Sequence, residues 1–278
     1  HVCPVIRLIH PAEMSGCRLI RGNEWAEGRW RVYPERLAQA DLVILQRDFP
    51  GHVTEYEQIV EEARAHGKPI VFELDDNLPE LPEQHPDYDH YLVTRTAILR
   101  AVVEADAVVA STPTLCDYLH AFNPIARVFP NYLNDRVWRL KPPVRRDTGV
   151  ITIGYMGGHS HSYDLQMVGA ALERTLRRYG SRVAVKFWGL APPVEIRDRA
   201  NVEWIDVGLV DYGDFATYFL NQECDLFIAP LQDNLFNRCK SHVKFLEYSA
   251  LGVVGIYSRV TPYEGVVKHG VNGFLASS

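Results

Sequence analysis

The residues most able to do chemistry lie in one stretch, Asn237-Arg238-Cys239-Lys240-Ser241-His242-Val243-Lys244-Phe245-Leu246-Glu247-Tyr248. Val243, Leu246 and Ala250 recur at i, i+3 and i+7, so the spacing predicts a helix over 241–251 with Ser241 as its N-cap. Lys240, Lys244 and Glu247 follow the i, i+4, i+7 rhythm and share another side. A helix N-terminus carries about half a positive charge and prefers acidic neighbours by ~0.3–1 kcal/mol each. This start instead carries Arg238, Lys240, Lys244 and His242. Cations belong there when an anion occupies the spot, and a diphosphate fits. The competing reading is a solvated basic face, with Lys244 and Glu247 in a surface pair.

A second group could form the facing wall. The segment Gly154-Tyr155-Met156-Gly157-Gly158-His159-Ser160-His161 reads as a strand, a double glycine and the opening of a helix. Gly157 and Gly158 would let backbone N–H groups approach a phosphate, and His159 could donate a hydrogen bond to phosphate or sugar. The spacing is neither the dinucleotide fingerprint nor a Walker motif. Asp75-Asp76-Asn77 follows the apolar run Ile70–Leu74, where cleft residues of an α/β sheet belong. Three readings stay open for it: a catalytic carboxylate, a divalent-cation site, or an Asx turn helped by Pro79. His85, His90, His159 and His161 lack the spacing of a metal site, and no metal is expected. Arg174, Arg177, Arg178 and Arg182 form a basic edge, either a solvated face or a peripheral membrane contact.

These residues need a frame, and the apolar pattern supplies an α/β one. Strands are expected at Val5–Ile9, Leu42–Leu45, Ile70–Leu74, Ala107–Ala110 and Arg127–Phe129, with helices at Val53–His66, Tyr91–Ala105 and Leu115–Leu119. The pattern breaks at Leu140-Lys141-Pro142-Pro143-Val144-Arg145-Arg146-Asp147, a linker by composition. It then restarts with strands at Val150–Tyr155, Val183–Phe187, Val202–Ile205, Leu226–Ala229, Val253–Tyr257 and Gly273–Leu275. Helices are expected at Tyr163–Tyr179, Asp211–Asn221 and Ser241–Leu251. The expectation is two Rossmann-like domains, 1–146 and 147–278, facing across a cleft.

Composition removes several classes. Among 278 residues, 29 Lys+Arg against 35 Asp+Glu give a net charge of −6, which argues against a nucleic-acid binder. A hydrophobic share of 47% excludes a disordered chain. No run reaches the ~18 apolar residues of a membrane span. Five scattered cysteines without a Cys-x-x-Cys pair are the usage of a reducing compartment, with the cytoplasm as default. A chain starting at His1 without a signal segment reads as processed, or as a piece of a longer one.

The second half resembles a known family. Lys240-Ser-His-Val-Lys244-Phe-Leu-Glu247-Tyr-Ser-Ala-Leu-Gly252, then Thr261-Pro262-Tyr263 and Lys268-His269-Gly270-Val-Asn-Gly273, is similar to the donor-binding half of family-4 retaining glycosyltransferases of the GT-B type. The resemblance implies metal-free transfer of a sugar from a UDP-, GDP- or dTDP-linked donor to a glycan, lipid-linked or small-molecule hydroxyl. It makes Glu247 the ribose ligand and sets Val207 and Gly208 against the nucleotide base. Asp75 comes to lie beside the donor sugar, and Arg238 and Lys244 become stabilisers of the leaving diphosphate. Cys239 stands where the family has its first glutamate, and the loop His159-Ser160-His161-Ser162 lacks the usual Arg…Lys pair. Arg238, Lys240 and Lys244 are the expected substitutes. Phe72–Asn77, Ala105–Thr112 and Pro130–Asn134 carry a weaker similarity. Family members run ~60 residues further, so the resemblance implies a chain cut after Ser278. An epimerase of the same architecture and a silent glycan-binding module are the rival readings.

Overall fold

A computed structural model describes residues 2–143, 147–208 and 211–277. Residues 144–146 of the expected linker lie outside them.

Two parallel sheets organise the chain. The first is β3-β4-β5-β6, formed by Val43–Gln46, Ile70–Leu74, Ala107–Ala110 and Ala126–Val128. An antiparallel hairpin, β1 (Asn23–Ala26) with β2 (Arg29–Val32), precedes it and was not expected from sequence. Helices α1 (Val53–Ala65), α2 (Tyr88–Glu104) and α3 (Pro113–His120) make the crossovers between successive strands. The Thr112 hydroxyl caps α3 by accepting from the Leu115 N–H at 3.2 Å. Phe72, Leu74, Ile98, Val102, Val108, Leu115 and Leu119 fill this core.

The second sheet runs in the order β12-β11-β10-β7-β8-β9. Its strands are β7 (Ile151–Gly157), β8 (Val183–Gly189), β9 (Val202–Ile205), β10 (Leu226–Ala229), β11 (Val254–Ser258) and β12 (Phe274–Ala276). The chain builds β7, β8 and β9 outward and then returns to lay β10 on the other side of β7. The switch point therefore falls between the carboxyl ends of β7 and β10, where open α/β sheets form their crevice. Helices α4 (Ser162–Gln166) and α5 (Gly169–Tyr179) follow β7, α6 (Tyr212–Leu220) precedes β10, and α7 (Leu235–Arg238) and α8 (Val243–Ala250) follow β10. The single helix expected over 163–179 is two, because Val168 tucks against the core and its N–H closes a tight turn onto Leu165 O at 3.2 Å. Both faces of the sheet are covered, one by Trp138, Phe219, Phe227 and Tyr248, the other by Tyr155, Leu172, Leu176 and Phe187.

The expected first strand is a correction. Val5–Ile9 forms a π-helical turn between Val2–Pro4 and His10–Ser15, ended by Gly16 at φ +74°. A short apolar run serves strand or helix equally, and Arg7 decides here. It turns inward to Glu73 at 2.5 Å and to Asn131 Oδ1 at 2.9 Å, and also bonds Phe129 O. Val5 and Ile6 meanwhile lean on the second half's core. Among the described residues no helix is long and apolar enough to cross a membrane.

Candidate functional site

The crevice wall of the second half starts at the end of β7. Gly157 lies opposite Gly189 in the ladder, and a Cβ on Gly157 would stand 2.5 Å from the Tyr155 hydroxyl. Gly189, at φ +86°, holds its Cα 's missing side chain against Gly157 O, where a Cβ would approach to 2.7 Å. A Cβ on Gly158 meets nothing within 4 Å, so this backbone is open. Val207 and Gly208 follow β9 on the same rim: a Cβ on Gly189 would lie 3.9 Å from Val207, and the Gly208 N–H donates to Asp206 Oδ1 at 3.0 Å.

Lys244, in the first turn of α8, reaches back and donates to Met156 O at 2.6 Å. Glu247 is buried one turn on. Burial drives both toward neutrality: it lowers Lys244 to about 8, with Lys240 adding to the drop, and raises Glu247 to about 7. Each charge softens the other's shift. Ser241 is not the N-cap. That position falls to His242, which makes no side-chain cap bond, while the Ser241 hydroxyl accepts from Asn131 Nδ2 of the first half at 2.8 Å.

A buried polar spine that sequence reasoning missed holds the turn before α8. Asp164 is fully buried and accepts from Gln232 N at 2.9 Å, Asn237 Nδ2 at 2.8 Å and, at 3.1 Å, His161 Nδ1. Asn237 in turn accepts from the Tyr163 hydroxyl at 3.1 Å. Burial and the Lys244 charge push His161 down to about 4, so it is neutral near pH 7. Asp164 and Asn237 lie in helices of five and four residues, too short to show a period, which is why this spine is silent in the sequence.

The first half supplies the opposite wall. Asp75 and Asp76 leave β4, and the Ser111 hydroxyl bonds Asp75 O at 2.6 Å. Arg47, at the end of β3, pairs with Asp75 and lies 3.9 Å from Asp76. Lys240 meets Asp76 at 3.3 Å and sits 4.3 Å over the Phe236 ring. Burial opposes ionisation of Asp76, but Lys240 and Arg47 outweigh it and hold the carboxyl below its ordinary value. Phe236 and Cys239, from the second half, pack into the first half's core, and Cys239 O accepts from Thr112 Oγ1 at 2.8 Å. Arg47 itself was not anticipated; its φ of +56° in a non-glycine residue carries a strain of ~1–2 kcal/mol.

The structure thus brings Gly157, Gly158, Lys244 and Glu247 together, and links Lys240 to the acidic turn beside Asp75. It does not bring Arg238 to them. Arg238 makes a two-point pair with Asp233 at 2.6 and 3.0 Å, half-exposed. His159 is also turned outward, bonding Asp87 Oδ1 of the first half at 3.1 Å. Among the described residues no group of three or more His, Cys, Asp or Glu side chains is placed to hold a metal ion.

No known family pattern matches the sequence, and no curated protein matches it by sequence. Comparison of structures does find likenesses. HepE of Anabaena, in complex with UDP and glucose, aligns with a TM-score of 0.58 at 13% identity, over 88% of this chain and 66% of that one. TarM aligns with a TM-score of 0.58 at 11% identity, over 92% and 51%. An E. coli trehalose-6-phosphate structure bound with UDP-2-fluoro glucose gives 0.52 at 13% identity, over 84% and 62%. The fold this chain shares with them is of the GT-B type: two Rossmann-like halves with parallel sheets. The chain spans between about half and two thirds of their length.

Proposed function

We propose that the chain is the two-Rossmann part of a nucleotide-sugar-dependent retaining glycosyltransferase of the family-4 kind, with domains 1–146 for the acceptor and 147–278 for the donor. The observation that carries this reading is the meeting of Lys244, Glu247 and the open Gly157-Gly158 backbone at the switch point of the second sheet. In this reading Lys244, Lys240 and the Gly157-Gly158 amides hold the diphosphate, and Glu247 takes the ribose hydroxyls. Val207 and Gly208 border the base, His159 swings from Asp87 to the phosphate or sugar, and Asp75 lies at the sugar end. Arg238 joins them once released from Asp233.

The chemistry follows from charge. The bond between the sugar's anomeric carbon and the diphosphate oxygen breaks, and negative charge grows on the leaving phosphate. Preorganised cations and N–H groups stabilise that charge most where water is excluded. The acceptor oxygen bonds the anomeric carbon from the same face, and its proton passes to the leaving phosphate oxygen. No step calls on a metal, since Arg47 and Lys240 already neutralise Asp75 and Asp76. We place the enzyme in the cytoplasm, with at most peripheral contact to a membrane carrying a lipid-linked acceptor.

The test is thermal shift against UDP, GDP, dTDP and their common sugars. A ligand at about 100 times its Kd adds ~2.7 kcal/mol to stability. A shift for one nucleotide and its sugars is expected, lost in Lys244→Ala; no shift across the whole panel refutes the reading.

A further inference from the structure

Among the described residues two non-glycine residues have positive φ, and only one is explained by a turn. Glu27 (φ +55°) precedes Gly28 (φ +76°) between the paired strands β1 and β2, the backbone that a two-residue hairpin demands. Arg47 (φ +56°) closes no hairpin. It follows β3 directly, with its N–H bonded to Glu73 O at 3.0 Å. The left-handed backbone sends its side chain over the end of the neighbouring strand. There the guanidinium pairs with Asp75, lies 3.9 Å from Asp76, and donates to the Tyr91 hydroxyl at 3.3 Å and to Cys3 Sγ at 3.6 Å. Those partners belong to β4's exit, α2 and the N-terminal helix. A strained backbone held by three separate elements marks a side chain whose position matters more than its local comfort.

We propose that Arg47 is a positioning residue for the transfer, its guanidinium fixing the Asp75 carboxylate at the sugar end of the cleft. The proposal rests on the glycosyltransferase reading above. The planar guanidinium is anchored at both arms, Nη1 on Asp75 and Nη2 on the Tyr91 hydroxyl at 3.3 Å, which fixes the charge in place as a lysine point charge would not. Asp75 lies next to the boundary between the halves, because its sequence neighbour Asp76 reaches Lys240 of the second half at 3.3 Å.

The experiment separates the sugar's share of binding from the nucleotide's. Dissociation constants are measured for UDP with UDP-glucose, GDP with GDP-mannose and dTDP with dTDP-glucose, and the ratio is read for the pair the unmodified chain binds. Arg47→Gly relaxes the backbone while removing the guanidinium; Arg47→Gln keeps the stem and serves where the glycine variant is unstable. Either variant is expected to leave nucleoside diphosphate affinity within about twofold while weakening the sugar-linked ligand about tenfold or more, the scale of a charged hydrogen bond. Arg47→Lys should recover only part of that loss. An unchanged ratio in the glycine and glutamine variants, or an equal loss for both ligands, overturns the assignment of Arg47 and leaves the transferase reading standing. Failure of the unmodified chain to bind any of the three pairs overturns both.

Discussion

Binding of a nucleoside diphosphate should be accompanied by proton uptake in mildly alkaline solution. In the free protein burial holds Lys244 down to about 8, against ~10.4 for a solvated lysine. A diphosphate beside Nζ favours the ammonium form and returns it toward ~10.4. At about pH 8.5 the free lysine is then roughly one quarter protonated and the complexed one almost fully, so binding takes up ~0.7 proton. Glu247, raised only to about 7, is ionised by then and adds little. The same linkage weakens UDP affinity about tenfold between pH ~7 and ~9. A depressed lysine means that the folded chain prefers the neutral form. Its contribution to stability is therefore present above the unfolded pKa of ~10.4 and is lost as pH falls through about 8. The ligand lifts that penalty. Calorimetry of UDP binding in two buffers of contrasting ionisation enthalpy reads the uptake directly, with Lys244→Met as the variant that should show none. Intact UDP binding with less than ~0.2 proton taken up at about pH 8.5 would refute the placement of the diphosphate at Lys244.

Other consequences can be checked alongside. Glu247→Gln removes a charged acceptor and should weaken the nucleoside diphosphate by ~1.5–3 kcal/mol while sparing pyrophosphate, as measured by competition. Asp75→Asn should leave UDP affinity unchanged but cut turnover at least about tenfold, a loss of ~1.4 kcal/mol or more in the transition state, with chelators without effect on the unmodified enzyme. Arg238→Ala, which breaks only an exposed pair with Asp233, should leave the urea midpoint essentially unchanged. Trp138→Phe strips the Tyr212 hydroxyl of the indole N–H it accepts at 2.8 Å, and should destabilise the fold by ~1–3 kcal/mol.

Strands buried on both faces are the most legible part of this sequence. Ile70–Leu74 is bounded by Lys68-Pro69 and Asp75-Asp76, and the structure starts and ends β4 at those residues. Val5–Ile9 misleads because its pattern carries no period, and the long-range partner of Arg7, Glu73, is 66 residues away. In the site, Lys244 and Glu247 stand out because they follow helical spacing next to a charge pattern that violates the macrodipole preference. Arg238 obeys the same logic and still goes elsewhere, since Asp233 sits close enough on the surface to take it. Asp164, Asn237 and Arg47 are invisible beforehand because their meaning lies wholly in contacts between distant segments. The Asp76–Lys240 pair, 164 residues apart, is the extreme case.

The packing of Phe236 and Cys239 in the other half's core determines how the two halves can move. Pulling them apart at that turn would return ~150–250 Å² of the Phe236 ring to water, a cost of ~4–6 kcal/mol. Opening there is therefore the expensive motion, and the turn behaves as a pivot. Beside that turn the halves also meet through His159 and Asp87, whose side chains are 69% and 40% exposed; the Asp87 N–H donates to His85 Nδ1 at 3.1 Å, and the His85 ring lies 5.4 Å from that of Phe236. Small strokes can therefore part the exposed His159–Asp87 pair without uncovering apolar surface, while the 236–241 turn stays seated. Lys240, which lies next to the pivot, would then keep its distance from Asp76 nearly constant through the stroke.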